Sequence, residues 1–266
     1  MVDTLIVRPG TAAGIAERDP GDGLGLRKQE GEERLGALVE RIDELQYRLF
    51  AEDRSSVLLV LQGLDASGKD GVVRRVFHGV NPAGVSVTSF RAPVGAELEH
   101  DYLWRIHAAL PARGRIGVFN RSHYEDVVAV RMRKLAPEAV WRRRYEHLRA
   151  FEQLLVDEGT TVLKVFLNVS REEQRKRFQE RIDDPSKRWK FRREDLEVRE
   201  QFGDWVQAWE EALTETSTDD APWYVVPADH NWVKALAVAE LLAGVLERLD
   251  PQLPAAEPGL EGMHIE

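Results

Sequence analysis

The chain has 266 residues, of which 43% are hydrophobic, so it is long enough to bury a sizeable core. It contains no cysteine, which excludes disulfides, zinc–thiolate and iron–sulfur sites, and cysteine nucleophiles. The formal net charge is −9, which argues against a general nucleic-acid-binding protein. No apolar run approaches the ~20 residues that span a bilayer, and the N-terminal sequence lacks the pattern of a signal peptide. We therefore expect a cytoplasmic protein that binds neither membrane nor nucleic acid.

The first predicted elements are an irregular arm, a helix and a buried strand. Residues 1–31 are rich in Gly, Asp and Pro, which indicates an arm without regular structure. From Glu32 to about residue 51 the apolar residues repeat at three- and four-residue spacing, which predicts an amphipathic helix. The run Val57–Leu61 is apolar throughout, as strands buried on both faces of a parallel sheet are.

Four more strands and a series of helices are predicted along the rest of the chain. The strands are expected at Val85–Phe90, Ile116–Asn120, Thr161–Asn168 and Trp223–Pro227. Helical periodicity is found at about 71–79, 97–110, 137–158, 171–182, 194–213 and 232–249. This alternation predicts an α/β fold, with a five-stranded parallel sheet and helices on both faces, formed by one domain over residues 32–250. The Pro- and Gly-rich residues 251–266 are expected to be a mobile tail.

A phosphate-binding loop is predicted between the first strand and the next helix. Residues Gly63–Asp70 read GLDASGKD, which has the G-x-x-x-x-G-K spacing of a P-loop in its strand–loop–helix context. The alternative, an ordinary turn containing glycine, agrees less well with this context. Glycines let backbone N–H groups curl around a phosphate, and the helix N-terminus adds partial positive charge. Phosphate contacts are expected from Gly63, Ala66, Ser67, Gly68, Lys69 and Asp70.

Two carboxylates distinguish this loop from that of an ordinary ATPase. Asp70 stands where a Ser or Thr ligand of magnesium usually follows the lysine, and Asp65 lies inside the loop. An anion beside bound phosphate is unfavourable unless it holds Mg²⁺ or orients an attacking phosphate oxygen. We therefore expect a Mg²⁺-dependent phosphotransferase with a task other than routine ATP hydrolysis.

A second polar cluster follows the strand Ile116–Asn120. Residues 120–126 read NRSHYED, and because ligands bind at the carboxyl ends of strands in α/β sheets, this cluster should face the P-loop. Arg121 can clamp a phosphate with two parallel hydrogen bonds. Asp126 or Asn120 could help to hold a metal.

The segment 175–193 is strongly basic in an otherwise acidic chain. It contains nine basic and three acidic residues, and most charge runs of this kind are solvated surfaces. Here the excess has one sign, follows the fourth predicted strand, where P-loop kinases carry a mobile lid, and is interleaved with Trp189 and Phe191. We interpret the segment as a lid that closes over a polyanionic substrate, with Lys187 and Lys190 binding phosphate.

Four segments together resemble the polyphosphate kinase 2 family, the polyphosphate:nucleotide phosphotransferases. They are VLQGLDASGKDG (60–71), GRIGVFNRSHYEDVV (114–128), EEQRKRFQERIDDPSKRWKF (172–191) and STDDAPWYVVPADHNW (217–232). The resemblance extends from about residue 22 to residue 250. It implies a thymidylate-kinase-like P-loop kinase fold with a helical lid. It also implies reversible, Mg²⁺-dependent transfer of a terminal phosphoryl group between inorganic polyphosphate and a nucleotide.

The resemblance implies roles for individual residues as well. Asp65 and Asp126 would hold magnesium or orient the acceptor phosphate. The cations that act in catalysis and bind phosphates would be Lys69, Arg121, Arg177 and Arg181. The nucleotide would be bound by Asn120, Arg121 and Glu125. With glutamate at position 125, the stretch NRSHYED resembles the class III subgroup, which accepts AMP as well as ADP.

Several alternatives stay open at this point. The implied substrates are inorganic polyphosphate and adenine, or alternatively guanine, nucleotides, and the implied assembly is a homodimer or homotetramer. An ATP-dependent nucleoside monophosphate kinase would explain the loop and the lid, but less easily Asp70 and the size of the basic segment. Loss of the loop lysine or the carboxylates would favour a non-catalytic polyphosphate or nucleotide sensor, and none is lost. Glu125 could instead pair only with Arg121 or Arg131, and His123 is interpreted as structural.

Overall fold

A mixed sheet of six strands organises the fold. The computed structural model describes residues 2–260 and 263–265. Within them the strands are β1 (Ile6–Val7), β2 (Ser56–Gly63), β3 (Val85–Ser89), β4 (Ile116–Asn120), β5 (Thr160–Asn168) and β6 (Trp223–Pro227). They lie in the order β1–β6–β5–β2–β4–β3, with β1 antiparallel to β6 and all other neighbours parallel. The predicted α/β fold and its five parallel strands are confirmed, and β1 adds a sixth strand.

The central strand β2 positions the P-loop. All eight of its residues are buried, and it pairs with β4 on one side and β5 on the other. The register places Leu61 opposite Asn120 and Gly63 opposite Leu167. Because parallel strands end at the same edge of a sheet, the polar residues that follow β4 meet the loop that follows β2.

Two layers of helices cover the sheet. The helices are α1 (Lys28–Glu52), α2 (Lys69–Val76), α3 (Trp104–Ala108), α4 (Glu125–Met132), α5 (Glu138–Asp157), α6 (Arg171–Asp183), α7 (Glu194–Glu200), α8 (Phe202–Thr216) and α9 (Asn231–Leu249). One layer joins α1, α2 and α9, the other joins α4, α5 and α8, and both α5 and α9 pack on β5. The contact of α1 with α9 is close: a Cβ atom at Gly31 would lie 2.3 Å from the ring of Trp232.

Some elements differ from the sequence-based expectations. The helix expected over 97–110 is a 3₁₀ turn at Gly95–Leu98 followed by the short α3, and Leu98 is exposed, so the segment has little apolar face to bury. The helix expected over 194–213 is divided into α7 and α8 at Gln201. Helix α4 was not predicted, because it is short and begins within the polar cluster. The two residues of β1 are too few to give a periodic signal.

The segment before α1 is fastened to the rest of the protein by hydrogen bonds. The backbone N–H groups of Gly14 and Ile15 donate to the carboxylate of Glu210 on α8, at 2.8 and 2.7 Å. Asn168 at the end of β5 donates to the carbonyl oxygens of Ile15 and Arg18, both at 3.1 Å. Within the described residues, no helix combines the length and apolarity needed to cross a membrane.

Candidate active site

The P-loop runs from the last residue of β2 to the first residue of α2. Gly63 has φ +147°, and a Cβ atom there would lie 2.7 Å from the carbonyl oxygen of Leu167 on β5. Gly68 has φ +100°, and a Cβ atom there would lie 2.3 Å from Nζ of Lys234. Backbone conformation and close neighbours therefore require both glycines of the motif. Ala66 between them is also in the left-handed region, with φ +66°.

Lys69 is buried, and its ammonium lies within the loop. Nζ donates to the carbonyl oxygens of Gly63 at 2.7 Å and Leu64 at 3.3 Å, and to Oγ of Ser67 at 3.4 Å. Burial, and after it the charge of Arg121, lower the pKa of Lys69 to about 8. The ammonium is thus held at the centre of the loop, where a phosphate would be cradled.

Arg121 connects the end of β4 to the P-loop through an ion pair with Asp65. Arg121 has φ +63°, and its N–H donates to the carbonyl oxygen of Leu61 at 3.0 Å, which turns the chain out of the sheet. Burial alone would raise the pKa of Asp65, but the charges of Arg121 and Lys69 outweigh it, and the pKa is lowered. Asp65 is therefore ionised at neutral pH.

Glu125, the first residue of α4, lies beside this ion pair. Its Oε2 is 3.5 Å from Nη1 of Arg121. When the amide of buried Gln62 is oriented so that both its ends are satisfied, it donates to Oε1 of Glu125 at 3.1 Å. Arg131 pairs with Glu211 at 2.6 Å. Of the two arginines considered from the sequence, Arg121 is thus the partner of Glu125.

Asp70 joins three parts of the site. Nδ2 of Asn120 donates to its Oδ1 at 2.6 Å, and Nζ of Lys190 lies 3.6 Å from its Oδ2. The side chain of Asp70 is 66% exposed. The start of α2, the end of β4 and the basic segment therefore meet at one solvent-accessible carboxylate.

Asp126 has a different environment from Asp65. It is buried and pairs with Arg105, whose Nη2 lies 3.3 Å from Oδ2. Burial raises the pKa of Asp126, and the charges of Arg105 and Arg144 partly oppose the shift. Asp126 also lines a cavity of about 720 Å³, which is formed mainly by residues 93–105 and 130–147. Across residues 2–260 and 263–265, no group of three or more His, Asp or Glu side chains is arranged to hold a metal.

The basic segment comprises the end of α6 and a 3₁₀ turn at Arg188–Lys190. Phe191 packs edge-on against Phe178, with 5.8 Å between ring centroids. Trp189 is 75% exposed. One of the two aromatic residues is therefore anchored on α6, and the other faces solvent.

Two cations of this segment are directed differently. Arg181 lies 5.3 Å from the centre of the Phe178 ring, and its charge helps to lower the pKa of Asp65, so it acts on the P-loop from the side of the basic segment. Lys187 pairs with Asp184 at 3.0 Å and is about half exposed. Lys190 lies at Asp70, so Arg181 and Lys190 are the cations through which this segment acts on the loop.

Arg177 is committed to the loop backbone. Its Nη1 donates to the carbonyl oxygens of Ala66 at 2.9 Å and Ser67 at 3.0 Å. Its Nη2 donates to the carbonyl oxygens of Ala228 and Asp229, both at 2.7 Å. The guanidinium braces the P-loop against the residues that follow β6, and a contact with substrate phosphate would have to coexist with these bonds.

A cluster of fully buried polar side chains underlies residues 120–126. Nζ of Lys164 donates to Oε2 of Glu152 at 2.6 Å and to the hydroxyl of Tyr124 at 3.1 Å. The Tyr124 hydroxyl donates to Oε1 of Glu152 at 2.8 Å, and Nε2 of His123 lies 3.1 Å from the same oxygen. His123 is therefore a buried partner of Glu152, in agreement with the structural interpretation.

Two site residues were missed by the sequence analysis. Lys234 in the first turn of α9 is buried, and its Nζ donates to the carbonyl oxygens of Ser67 at 2.9 Å and Ala228 at 3.2 Å. Arg105 on α3 holds Asp126. The one sequence signal for Lys234 is a charge within the apolar run 232–239, and nothing in the local pattern marks Arg105.

The arrangement is suited to aligning polyanions. Lys69, Arg121 and Arg181 place positive charge around the loop, and the ionised Asp65 offers an oxygen ligand for a divalent cation among them. Phosphate binding and charge stabilisation are therefore the chemistry that the site supports.

The chain is similar to known proteins in both sequence and fold. A family model described as polyphosphate kinase 2 (PPK2) matches residues 25–254. An AMP/ADP-polyphosphate phosphotransferase of Meiothermus ruber is 49% identical over 262 residues, which cover 98% of each chain. An ADP-polyphosphate phosphotransferase of Rhodopseudomonas palustris is 46% identical over 87% of this chain and 84% of its own. The crystal structure of polyphosphate kinase 2 from Arthrobacter aurescens TC1 has a TM-score of 0.93 at 42% identity, over 97% of this chain and 93% of that chain.

Proposed function

The chain belongs to the polyphosphate kinase 2 family, and we propose that it transfers the terminal phosphoryl group of inorganic polyphosphate to AMP and ADP. The products are ADP and ATP, and the reaction is reversible. The observation that carries this proposal is the ion pair of Arg121 with Asp65 inside the P-loop, beside Lys69. In a loop that only held a nucleotide, an ionised carboxylate would repel the phosphates and weaken nucleotide binding. A site that aligns two polyanions can use it to hold a cation between them.

The metal that we propose is Mg²⁺. This ion generally takes one or two carboxylates and completes its octahedron with water and substrate phosphates, so it needs no preformed cluster of three protein ligands. Asp65 fits this requirement, because neighbouring cations keep it ionised at the loop. Asp126 would exchange its 3.3 Å contact with Arg105 for the metal. When bound, Mg²⁺ would neutralise charge on the phosphate oxygens.

The side chains of the protein bind and orient the two substrates. Lys69 and Arg121 would hold the reacting phosphates, and Arg181 with Lys187 and Lys190 would hold the polyphosphate chain. The attacking group is a phosphate oxygen of the acceptor, which is already ionised at neutral pH and needs no general base. Catalysis then depends on alignment and on stabilising charge in the transition state.

The acceptor range is proposed to include AMP because of Glu125. AMP presents its phosphate about one unit further from the donor than ADP does. Glu125 lies 3.5 Å from Arg121, next to the Asp65 ion pair, so its carboxylate can hold a water or a metal ion against the shorter nucleotide. The name of the Meiothermus ruber relative, which includes both AMP and ADP, supports this proposal.

The test supplies purified protein with Mg²⁺, polyphosphate and either AMP or ADP, in the absence of ATP. We expect ADP and ATP to form, as followed by chromatography, and we expect the Lys69→Ala variant to form them at a rate lower by about 100-fold or more. A parallel assay supplies ATP in place of polyphosphate. If product forms only in that assay, the protein is an ATP-dependent nucleoside monophosphate kinase. Binding without turnover would identify a sensor.

Assembly, nucleobase preference and location complete the proposal. We propose that the enzyme works in the cytoplasm as a homodimer or homotetramer and acts on adenine, or alternatively guanine, nucleotides. Light scattering on the purified protein measures its mass in solution. Parallel assays with GMP and GDP beside AMP and ADP measure which nucleobase it accepts, and failure with both adenine nucleotides would contradict the proposal.

A further inference from the structure

Lys234 is buried against the P-loop, at a place where its charge acts on the loop backbone. Its Nζ donates to the carbonyl oxygen of Ser67 at 2.9 Å, and a Cβ atom on Gly68 would lie 2.3 Å from it. The Ser67 carbonyl and the Gly68 N–H belong to one peptide group. A cation on that oxygen polarises the N–H, which makes it a stronger donor to an anion. Lys234 therefore bears on one of the groups with which a P-loop binds phosphate.

The fold does not need this lysine to satisfy its hydrogen bonds. Both of its acceptors are also bound by Arg177, which donates to Ser67 O at 3.0 Å and to Ala228 O at 2.7 Å. In the part of the chain that the structure describes, Lys234 has no carboxylate at ion-pair distance, whereas the buried Lys164 pairs with Glu152 at 2.6 Å. A buried ammonium without an anion, in the first turn of a helix, lowers stability.

The charges that act on Lys234 come from three parts of the chain. Arg177 and Glu173 face it from α6, Asp229 from the loop after β6, and Arg75 from α2. Burial and then Arg177 lower the pKa of Lys234 to about 7, and the two carboxylates only partly oppose this shift. A polyanion in the loop would favour the charged form again.

We propose that Lys234 is a positioning residue for phosphate transfer: it orients and polarises the Ser67–Gly68 peptide and adds a second lysine charge beside the P-loop. The inference rests on the proposed function only in that the loop must bind phosphate. In the free protein the buried ammonium of Lys234 lowers stability, because no anion pairs with it. Once the loop holds a polyanion, the same charge stabilises the complex. Phosphate affinity should therefore depend on its protonation.

The test compares Lys234→Met with wild type by calorimetric titration with inorganic tripolyphosphate at pH 6.5 and pH 9, alongside thermal unfolding. The variant keeps the shape of the side chain and leaves both carbonyls bound to Arg177. At pH 6.5, where Lys234 is charged, we expect Lys234→Met to bind tripolyphosphate about tenfold more weakly than wild type. At pH 9 the difference in affinity between the two proteins should be smaller. The midpoint of unfolding should not fall. In turnover assays, KM for polyphosphate should rise more than kcat falls.

Two variants serve as controls. Lys28→Met removes one exposed charge at the start of α1 and should bind tripolyphosphate as wild type does. Lys164→Met leaves Glu152 buried without its lysine, so it should lower the unfolding midpoint while its folded fraction binds normally. Together they separate a local effect at the loop from net charge and from loss of stability.

The outcomes that overturn the inference are specific. The inference is overturned if the Lys234→Met variant binds tripolyphosphate with wild-type affinity at both pH values. A pH-independent weakening that accompanies a lower unfolding midpoint would also overturn it, because it would indicate a structural role. A wild-type protein that does not bind tripolyphosphate at all would contradict it too. A wild-type protein that binds tripolyphosphate but makes no ATP from polyphosphate would contradict the proposed function alone.

Discussion

The carboxylate of Asp65, in the P-loop, is paired with the guanidinium of Arg121, at the end of β4. Arg121 is also 3.5 Å from Glu125, so one guanidinium serves two carboxylates. A phosphate that binds to Arg121 must therefore compete with both, unless a cation takes over Asp65. The proposed metal requirement and the loop carboxylate therefore belong to one balance of charge.

Substitution of Asp65 with Asn should lower kcat about 100-fold, because the loop loses the oxygen that we propose binds Mg²⁺. The amide keeps the shape of the side chain, so the unfolding midpoint should change little. Wild-type turnover should disappear in excess chelator and return with added Mg²⁺. Full activity of wild type in the chelator would show that the carboxylate has another role.

Replacing Lys69 with Ala should lower kcat by about 100-fold or more while the protein stays folded. The ammonium binds only loop carbonyl groups and the Ser67 hydroxyl, so its charge serves the site and not the core. Turnover should be measured on protein whose circular dichroism and unfolding midpoint match wild type. More than about a tenth of wild-type kcat in such a folded variant would refute the assignment of this loop.

The protonation of Lys69 should appear in the pH profile. Its pKa is lowered to about 8, so the ammonium is charged below that pH and neutral above it. We therefore expect kcat/KM for polyphosphate to fall as the pH rises through 8. The measurement is best made in the Lys234→Met background, where the second lysine does not titrate. A profile that stays flat up to pH 10 would show that the Lys69 charge is not needed.

The two arginines of α6 should behave differently when each is replaced by Ala. Arg181 makes one long contact with a backbone carbonyl, at 3.5 Å, so its loss should lower kcat/KM for polyphosphate and weaken the salt dependence of binding, with little loss of stability. Arg177 donates to four carbonyl groups around the loop, so its loss should also lower the unfolding midpoint. The variant with both arginines replaced by Ala tests the segment as a whole. If it binds and turns over polyphosphate normally at every salt concentration, the basic segment is only a solvated surface.

Glu125→Asn should reduce AMP phosphorylation more than ADP phosphorylation. The amide can still accept a hydrogen bond from Gln62, but it has no charge with which to hold a metal ion or pair with Arg121. The assay compares kcat/KM for the two acceptors under the same conditions. An equal effect on both acceptors, or a wild-type enzyme that does not use AMP, would rule out this role.

The P-loop could be read from the sequence because its parts are contiguous: Gly63, Gly68 and Lys69 lie within seven residues of one another, between a strand and a helix. The approach of Arg121 was also predictable, since parallel strands end at the same edge of a sheet. Lys234 was not predictable, because its place beside Gly68 depends on how α9 packs on α2. Arg105 depends in the same way on a short helix with no periodic pattern.

The arginines of α6 show why charge type alone did not assign roles. Arg177 and Arg181 are four residues apart on α6 and look equivalent in the sequence. Only the packing of the residues after β6 against the P-loop turns Arg177 towards backbone carbonyl groups. The division of the helix at Gln201 and the short strand β1 likewise depend on tertiary contacts rather than on local propensity.

The buried cluster below the end of β4 has a consequence for the engineering of this enzyme. Removing either Lys164 or Glu152 alone leaves an uncompensated buried charge, which costs about 3–5 kcal/mol. Tyr124 and His123 both contact Oε1 of Glu152, so a change at either position also alters the hydrogen bonds of this carboxylate. A mutant library that randomises these positions one at a time should return only the parent residues. Folded variants with other residues would be found only in libraries that vary the four positions together. For the same reason, relatives that differ at one of these positions should differ at the others as well.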